Sequence, residues 1–358
     1  MTYPAYLVTG AAGFLGHAVL LELQRVCPEA AIYALVLPGD PLAGTLPPGV
    51  HPVEGDVTAP LTLGPFFAHA GEAACLIHCA GVVSVASQPG EGIYRVNVEG
   101  TRNILEGCRA HGIGKLVYVS SVHAIAELPE GTVMQEPAAF SPQWVWGDYS
   151  KTKAQATDLV LRAAREGLNA CVVLPSGIIG PGDPRGGSIT SMLRSYLAGR
   201  LPMAVRGGYD FVDVRDVAGG IVACAHRGQP GRAYILSGHY ATVREVLEKV
   251  KSLFRLRRQV CYLPLSAAAR VAPLYERMAL RRQKPLYFTP YALAVLGSNG
   301  SFSHRRATED LGYAPRPLED TLRDTVSWLR LQERAKKTLK RAARIARRAA
   351  PKTAHKMT

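Results

Sequence analysis

Residues 5–16 read AYLVTGAAGFLG, a short apolar run that opens directly into three glycines at a spacing of three. The run from Ala5 to Thr9 has strand character, and the residues after Gly13 begin a helical pattern, so G-x-x-G-x-x-G sits between a strand and a helix. In that setting each glycine has a task. Gly10 permits a tight turn, Gly13 removes a side chain so that a pyrophosphate can approach the backbone, and Gly16 lets helix and strand pack closely. With Phe14 and Leu15 between them, the amides of the helix N-terminus meet the phosphate charge. The stretch predicts a dinucleotide-binding turn.

The rest of the chain supports that frame. Ile32 to Leu37, Leu76 to Cys79, Leu116 to Ser120 and Ala170 to Leu174 read as further strands, with helices near 14–26, 91–111 and 149–166. This alternation predicts an α/β fold, a doubly wound parallel sheet with helices on both faces. After Leu174 the rhythm loosens into a loop, GIIGPGDPRGG, then a helix near 188–199, a strand at Ala233 to Leu236 and a capping-box helix from Thr242 to about Leu253. The expected plan is a dinucleotide-binding domain over 1–175, a smaller substrate-binding region over 176–330 that also returns to the first domain, and a basic helix over 331–358.

Composition narrows the class. The 358 residues are 47% hydrophobic and 20% charged, which excludes a disordered or collagenous chain. The formal charge is +14, but residues 331–358 hold ten Lys or Arg against one acid, leaving +5 for the first 330. Seven cysteines, an odd number scattered through apolar context, argue for a reducing, cytoplasmic setting. Cys75, His78 and Cys79 invite a metal reading, yet they lie in an apolar strand and read as buried side chains, so no metal is expected. No secretory signal is expected, and no apolar run reaches the eighteen or so residues a membrane span needs.

A second constellation lies downstream. Tyr149 and Lys153 are four residues apart and share one face of a helix, so the ammonium can lower the pKa of the phenol and reach cofactor hydroxyls. Some thirty residues earlier the strand LVYVSS ends at Ser120 and Ser121, on the carboxyl edge of the sheet where ligands bind. A hydroxyl there can orient a carbonyl toward both phenol and nicotinamide. For the ribose 2′ position, the second strand ends Leu37, Pro38, Gly39, Asp40 with no arginine, which favours NAD over NADP.

Together with GDVT (55–58), HCAGVV (78–83), VNVEGTRNILEGC (96–108), YSKTKA, LPSGIIGPGD (174–183), FVDVRDVA (211–218) and LGYAPRPLEDTLRDTVSWL (311–329), these motifs resemble the extended short-chain dehydrogenases/reductases of the epimerase/dehydratase superfamily. The resemblance covers nearly the whole chain to residue 330 and implies a Rossmann fold and an NAD(P)-dependent enzyme. It implies that Tyr149 is the general acid/base, Lys153 its electrostatic partner and Ser121 the carbonyl-orienting hydroxyl. It further implies that Asp56 and Val57 flank the adenine, Ala80 and Gly81 line the dinucleotide, and Pro175 and Ser176 border the nicotinamide. Asn97 matches the family's helix asparagine, with a structural or a proton-relay role.

Two departures bear on the branch. Sugar-nucleotide members carry Arg-x-x-Asn where this chain has Leu174 and Gly177, and dehydratases carry Asp-Glu where it has Val122 and His123. The segment is instead similar to dihydroflavonol-reductase-like and 3β-hydroxysteroid-dehydrogenase-like members, which implies a hydrophobic ketone or secondary alcohol as substrate. Trp144, Val145, Trp146, Leu286, Tyr287, Phe288, Tyr291 and Leu293 are candidates to line an apolar pocket or to pack in a core, and His123 is a further polar candidate there. A nucleotide-sugar epimerase and a non-catalytic NAD(P)-sensing protein are the alternatives. From Trp328 onward, Leu331, Ala335, Leu339, Ala342, Ala346 and Ala349 form an apolar stripe among cations, the pattern of a helix lying on an anionic membrane surface. A solvated terminus and nonspecific nucleic-acid contact are the other readings of that tail, no specific nucleic-acid partner is expected, and a homodimer stays open.

Overall fold

A computed structural model describes residues 2–84, 90–282 and 289–349. The strands are β1 (Ala5–Thr9), β2 (Ala31–Val36), β3 (Val50–Glu54), β4 (Ala74–His78), β5 (Lys115–Val119), β6 (Ala170–Pro175), β7 (Gly177–Ile179), β8 (Met203–Val205), β9 (Gly208–Asp213), β10 (Ala233–Leu236), β11 (His239–Thr242) and β12 (Cys261–Leu263). The helices are α1 (Phe14–Val26), α2 (Gly64–Phe67), α3 (Gly92–Tyr94), α4 (Gly100–Ala110), α5 (Asp148–Arg165), α6 (Ser188–Leu197), α7 (Val214–Arg227), α8 (Val243–Leu253), α9 (Leu265–Arg281), α10 (Pro290–Gly297), α11 (Arg305–Leu311) and α12 (Leu318–Ala349).

Seven strands form one sheet in the order β10-β6-β5-β4-β1-β2-β3, and every neighbouring pair in it is parallel. This is the doubly wound Rossmann arrangement that the alternating pattern predicts, extended at one edge by β10. Side-chain alternation divides the core between the two faces. Tyr6, Val8, Ile77, Val117 and Val173 point toward α1 and α7, whereas Leu7, Leu76, Leu116, Tyr118 and Val172 meet α4 and α5. In α1 the buried residues Gly16, Val19, Leu20 and Leu23 lie on one helical stripe.

Several elements differ from the sequence expectation. Strand β3 went unseen because Val50–Glu54 contains Pro52, a residue that sheets tolerate at an edge, and β3 is the edge strand. The segment expected as a loop after Leu174 begins with a strand, Gly177–Ile179, which pairs in parallel with β9. The helix expected near 91–111 is interrupted by a π-helical turn at Arg95–Glu99, and Asn97 lies in that turn. The capping box at Thr242 is present: Thr242 Oγ1 accepts the Glu245 amide at 3.1 Å, and the Glu245 carboxylate accepts the Thr242 amide at 2.8 Å.

The chain beyond residue 176 builds a third core, in which Leu193, Tyr196, Phe211, Val246 and Leu247 meet Leu318, Leu322, Val326 and Leu329 of α12. It also returns to the first sheet through β10, and α7 packs Val217 and Ile221 beside Val19 and Leu20 of α1. Helix α12 runs unbroken across residue 330, and from Arg330 to Lys340 every side chain is exposed. Lys352 and Lys356 of the basic tail lie outside the described residues, as do Leu286, Tyr287 and Phe288. No described helix is long and apolar enough to cross a membrane.

Helix α12 thus has a packed first part and, over residues 331–340, a solvated stretch, with different sensitivities. Leu322→Ala, at a fully buried position, is expected to cost about 2–5 kcal/mol in urea denaturation. Leu339→Ala, at a position 70% exposed, is expected to stay within about 0.5 kcal/mol. Equal effects would contradict this division of the helix.

Candidate active site

A cleft of about 1080 Å³ runs along the carboxyl edge of the main sheet. At one end are Gly10, Gly13, Phe14, Leu15 and Gly16 from the first turn, with Asp56 and Val57 after β3 and Ala80 and Gly81 after β4. At the other are Ser121, Tyr149, Lys153, Pro175 and Ser176. All the residues singled out from the sequence for cofactor and chemistry therefore share one cavity.

The glycine turn is built to admit a ligand against bare backbone. Gly10 has φ +64°, and a Cβ there would stand 2.7 Å from the Ala80 nitrogen. A Cβ on Gly16 would collide with the Gly10 carbonyl. Gly13 serves as N-cap of α1 without a side-chain cap, and the first turn of α1 contains no acidic residue. Exposed helix amides with no competing carboxylate suit a phosphate group, so these residues fit a dinucleotide.

The neighbouring strand ends are tied together. Thr9 Oγ1 accepts the Ala80 amide at 3.1 Å and is hydrogen-bonded to His78 Nδ1 at 2.7 Å, while His78 Nε2 meets Thr101 Oγ1 at 3.1 Å. Burial pushes His78 down to about 3, which keeps the ring neutral. Burial raises the Cys75 and Cys79 thiols, so both stay protonated. Asn97 accepts the Val82 amide at 2.8 Å and donates to Val82 O and Thr152 Oγ1, a set of bonds that fixes the loop after β4.

Tyr149 and Lys153 project from the first turns of α5, whose N-cap Gly147 has φ +86° with the Tyr291 ring packed against it. The Ser121 hydroxyl accepts the His123 amide at 3.2 Å and lies near enough to the Tyr149 phenol to favour its ionised form. Lys153 Nζ donates to the Val119 carbonyl at 2.9 Å. Burial pushes the Tyr149 phenol above its ordinary range; the nearby Ser121 hydroxyl opposes this, and Tyr291 adds to it. The lowering expected from Lys153 is not among these influences: burial dominates, and the downward pull comes from Ser121. Ser176 donates to Asp210, which also accepts the Gly238 amide at 2.7 Å.

Aromatic rings surround Tyr149. His123 Nε2 is hydrogen-bonded to the Tyr209 hydroxyl at 2.7 Å, and the His123 ring meets Tyr149 edge-on at 5.8 Å. Tyr291 donates to or accepts from Ser150 Oγ at 3.0 Å and stacks on Trp146 at 5.6 Å. Leu293, by contrast, packs in a small core with Val205 and Ala272, Val145 packs at the edge of the main core, and Trp144 is exposed. Among the lining residues not singled out from sequence are Tyr209 and Arg185. Tyr209 stands two residues before the quoted FVDVRDVA stretch, which could have signalled it, and Arg185 comes from a remote loop to meet Asp40 at 2.9 Å.

Lys153 gives the site a measurable signature. Burial pushes its ammonium down to about 8, against a smaller upward pull from Cys79. The folded state therefore binds this proton less tightly than the unfolded chain, whose lysines titrate near ~10.4. The penalty is present in full below pH 8 and is relieved as pH rises toward the unfolded value. The stability of the wild type relative to Lys153→Met is thus expected to increase between those two values, with a slope of at most about 1.4 kcal/mol per pH unit. Paired urea titrations across that range would measure it; a flat difference would contradict the assignment.

Comparison with known proteins agrees with this geometry. The NAD dependent epimerase/dehydratase family matches residues 6–237. The chain is 29% identical to sterol demethylase protein B of Methylococcus capsulatus over 71% of its own length and 78% of that protein. It is 26% identical to a putative dihydroflavonol 4-reductase of Synechocystis, over 90% and 94%. Among solved structures, gox2253 is 30% identical with a TM-score of 0.79, covering 92% of this chain and 98% of that one. The UDP-glucose 4-epimerase of Thermotoga maritima, at 19% identity and a TM-score of 0.74 over 92% and 99%, shares the fold. The chain belongs to the NAD dependent epimerase/dehydratase family, the extended short-chain dehydrogenases/reductases, whose members are NAD(P)-dependent enzymes.

Proposed function

We propose that the enzyme interconverts a hydrophobic, flat ring ketone and its secondary alcohol. The observation that carries this reading is the ring cluster beside the proton-transfer groups: Tyr149, His123, Tyr209 and Tyr291 line the cleft with aromatic faces and edges, and Trp146 stacks on Tyr291. Such a wall favours an apolar planar substrate over a charged sugar nucleotide. The relatives, a sterol demethylase and a dihydroflavonol reductase, point the same way. Leu174 and Gly177, in place of the sugar-nucleotide Arg and Asn, weigh against the epimerase reading.

In this mechanism Gly10, Gly13, Phe14, Leu15 and Gly16, which line the cleft, would hold the pyrophosphate, Asp56 and Val57 would flank the adenine, Ala80 and Gly81 would line the dinucleotide, and Pro175 and Ser176 would border the nicotinamide. When bound, the nicotinamide gives or takes a hydride at its C4. Ser121 and Tyr149 hold the substrate oxygen between two hydroxyls. Tyr149 passes the proton to that oxygen on reduction and receives it on oxidation. Lys153, protonated at neutral pH and anchored on the Val119 carbonyl, stabilises negative charge at the phenol and reaches the cofactor ribose. His123, pushed down to about 4 by desolvation, stays neutral and orients Tyr209. The cofactor is NAD or NADP; the turn after β2, which lacks arginine, favours NAD.

The basic stretch beyond Leu329 is proposed to hold the enzyme at an anionic membrane surface, where a lipophilic ketone partitions. Leu331 and Leu339 are exposed among its cations, as such contact requires. Removing residues 331–358 is expected to abolish sedimentation with anionic vesicles. Equal sedimentation of the full and shortened chains would end this part of the reading.

For the chemistry, incubation with ring ketones should change the absorbance of the reduced nicotinamide in proportion to alcohol formed. An epimerase, which recycles its cofactor, would leave no net change. Tyr149→Phe is expected to lower kcat by roughly three or more orders of magnitude while the dinucleotide still binds. A variant of near-wild-type rate would remove Tyr149 from the mechanism.

A further inference from the structure

At the adenosine end of the cleft, two side chains of opposite charge face each other from different parts of the chain. Asp40 follows β2; its Oδ1 accepts the Leu42 amide at 3.0 Å, and its Oδ2 accepts from the Arg185 guanidinium at 2.9 Å. Arg185 lies 145 residues further on, in the loop between β7 and α6. That loop is held in shape by Asp183, a buried carboxylate that accepts the Gly186 and Gly187 amides at 2.9 and 2.7 Å. Gly186 takes φ +68°, which lets the chain double back, and Ser191 ties the turn by donating to the Gly186 carbonyl at 2.6 Å. Both Asp40 and Arg185 line the same cleft as Leu37, Asp56 and Val57.

The end of the second strand of a Rossmann sheet is where the adenosine ribose of a dinucleotide is read, a carboxylate taking the 2′-hydroxyl and an arginine taking a 2′-phosphate. Here both chemistries are present, one from each wall. Asp40 is nearly covered, its side chain 9% exposed, whereas that of Arg185 is 66% exposed. An ion pair with so exposed an arm is weak, so a phosphate dianion, which accepts two parallel N–H bonds from a guanidinium, can take the arginine from the carboxylate.

We infer that Asp40 and Arg185 together read the adenosine 2′ position, Asp40 receiving the hydroxyl of NAD(H) and Arg185 the phosphate of NADP(H), so that the enzyme accepts NADP(H) through a residue outside the β2 turn. This rests on the reading of the cleft as a dinucleotide site. It also supplies the arginine whose absence after β2 favoured NAD.

Calorimetric titration of the full chain with 2′,5′-ADP and with 5′-ADP isolates the subsite from the chemistry, and NADPH and NADH repeat the comparison with the whole cofactor. Arg185→Ala is expected to weaken 2′,5′-ADP at least tenfold more than 5′-ADP, and Arg185→Lys to restore part of the difference. Asp40→Asn, which removes the repelling charge, is expected to shift preference toward NADPH. Thermal melts of each variant check that the fold is intact. Binding of neither NADH nor NADPH by the wild type would overturn the reading of the cleft itself. Binding of NADH without NADPH, an equal loss of both nucleotides in Arg185→Ala, or a shift toward NADH in Asp40→Asn would overturn the role of this pair alone.

Discussion

The structure turns on how closely two strand ends approach each other at Gly10. The turn after β1 lies against the backbone after β4 with no space for a Cβ, and the start of α1 lies against the Gly10 carbonyl with no space for one at Gly16. Three segments thus meet at van der Waals distance through bare backbone. That contact sets the height of α1 above the sheet, directs its N-terminus into the cleft and fixes the path of the loop that carries Ala80 and Gly81. The Thr9–His78–Thr101 chain of hydrogen bonds continues the same junction to α4. Because His78 is held neutral by burial, the junction contributes no charge beside the phosphate site.

Lys153 shows what this closeness costs. Its ammonium is buried against the Val119 carbonyl, with the Tyr118 ring 5.1 Å below it. A Cβ on Gly81 would stand 3.2 Å from Nζ, so the glycine after β4 leaves the ammonium its room. A lone buried cation lowers stability. Here it is kept within reach of Tyr149, one helical turn away, where negative charge forms during the proposed proton transfer. The desolvation cost is local, and burial in the two apolar cores on either side of the sheet offsets it.

Much of this was legible in the sequence because the informative residues are close together in the chain. The glycine turn, the strand-end Ser121 and the Tyr149–Lys153 pair each lie within one element or at its end, and spacing alone predicts that they share an edge or a face. The capping box at Thr242 is local in the same sense. What escaped depends on distant partners. Gly177–Ile179 is a strand only because β9 lies beside it, and its glycine-rich surroundings read as loop. Val50–Glu54 carries a proline that hides an edge strand. Arg185 and Tyr209 reach the cleft across 145 and 86 residues to meet Asp40 and His123; only Tyr209 has a recognisable motif beside it, and nothing in the neighbourhood of Arg185 marks its partner.

The same distinction governs the net charge. Helix α12 begins with Glu319 and Asp320 at its N-terminus and places its cations toward the other end, the arrangement the helix dipole favours. Its first half is fixed by Leu318, Leu322, Val326 and Leu329 in the third core. After Arg330, which lies over the Phe254 ring, the side chains from Leu331 to Lys340 are all exposed, in a run rich in Ala, Lys, Arg and Leu, residues with high intrinsic helix propensity. The first half supplies the nucleus that a solvated helix otherwise lacks, and the second half propagates from it. The cations from Arg334 to Lys340 are therefore carried on an exposed extension that owes its order to the enzyme's core, so their charge and the chemistry of the cleft are physically separable.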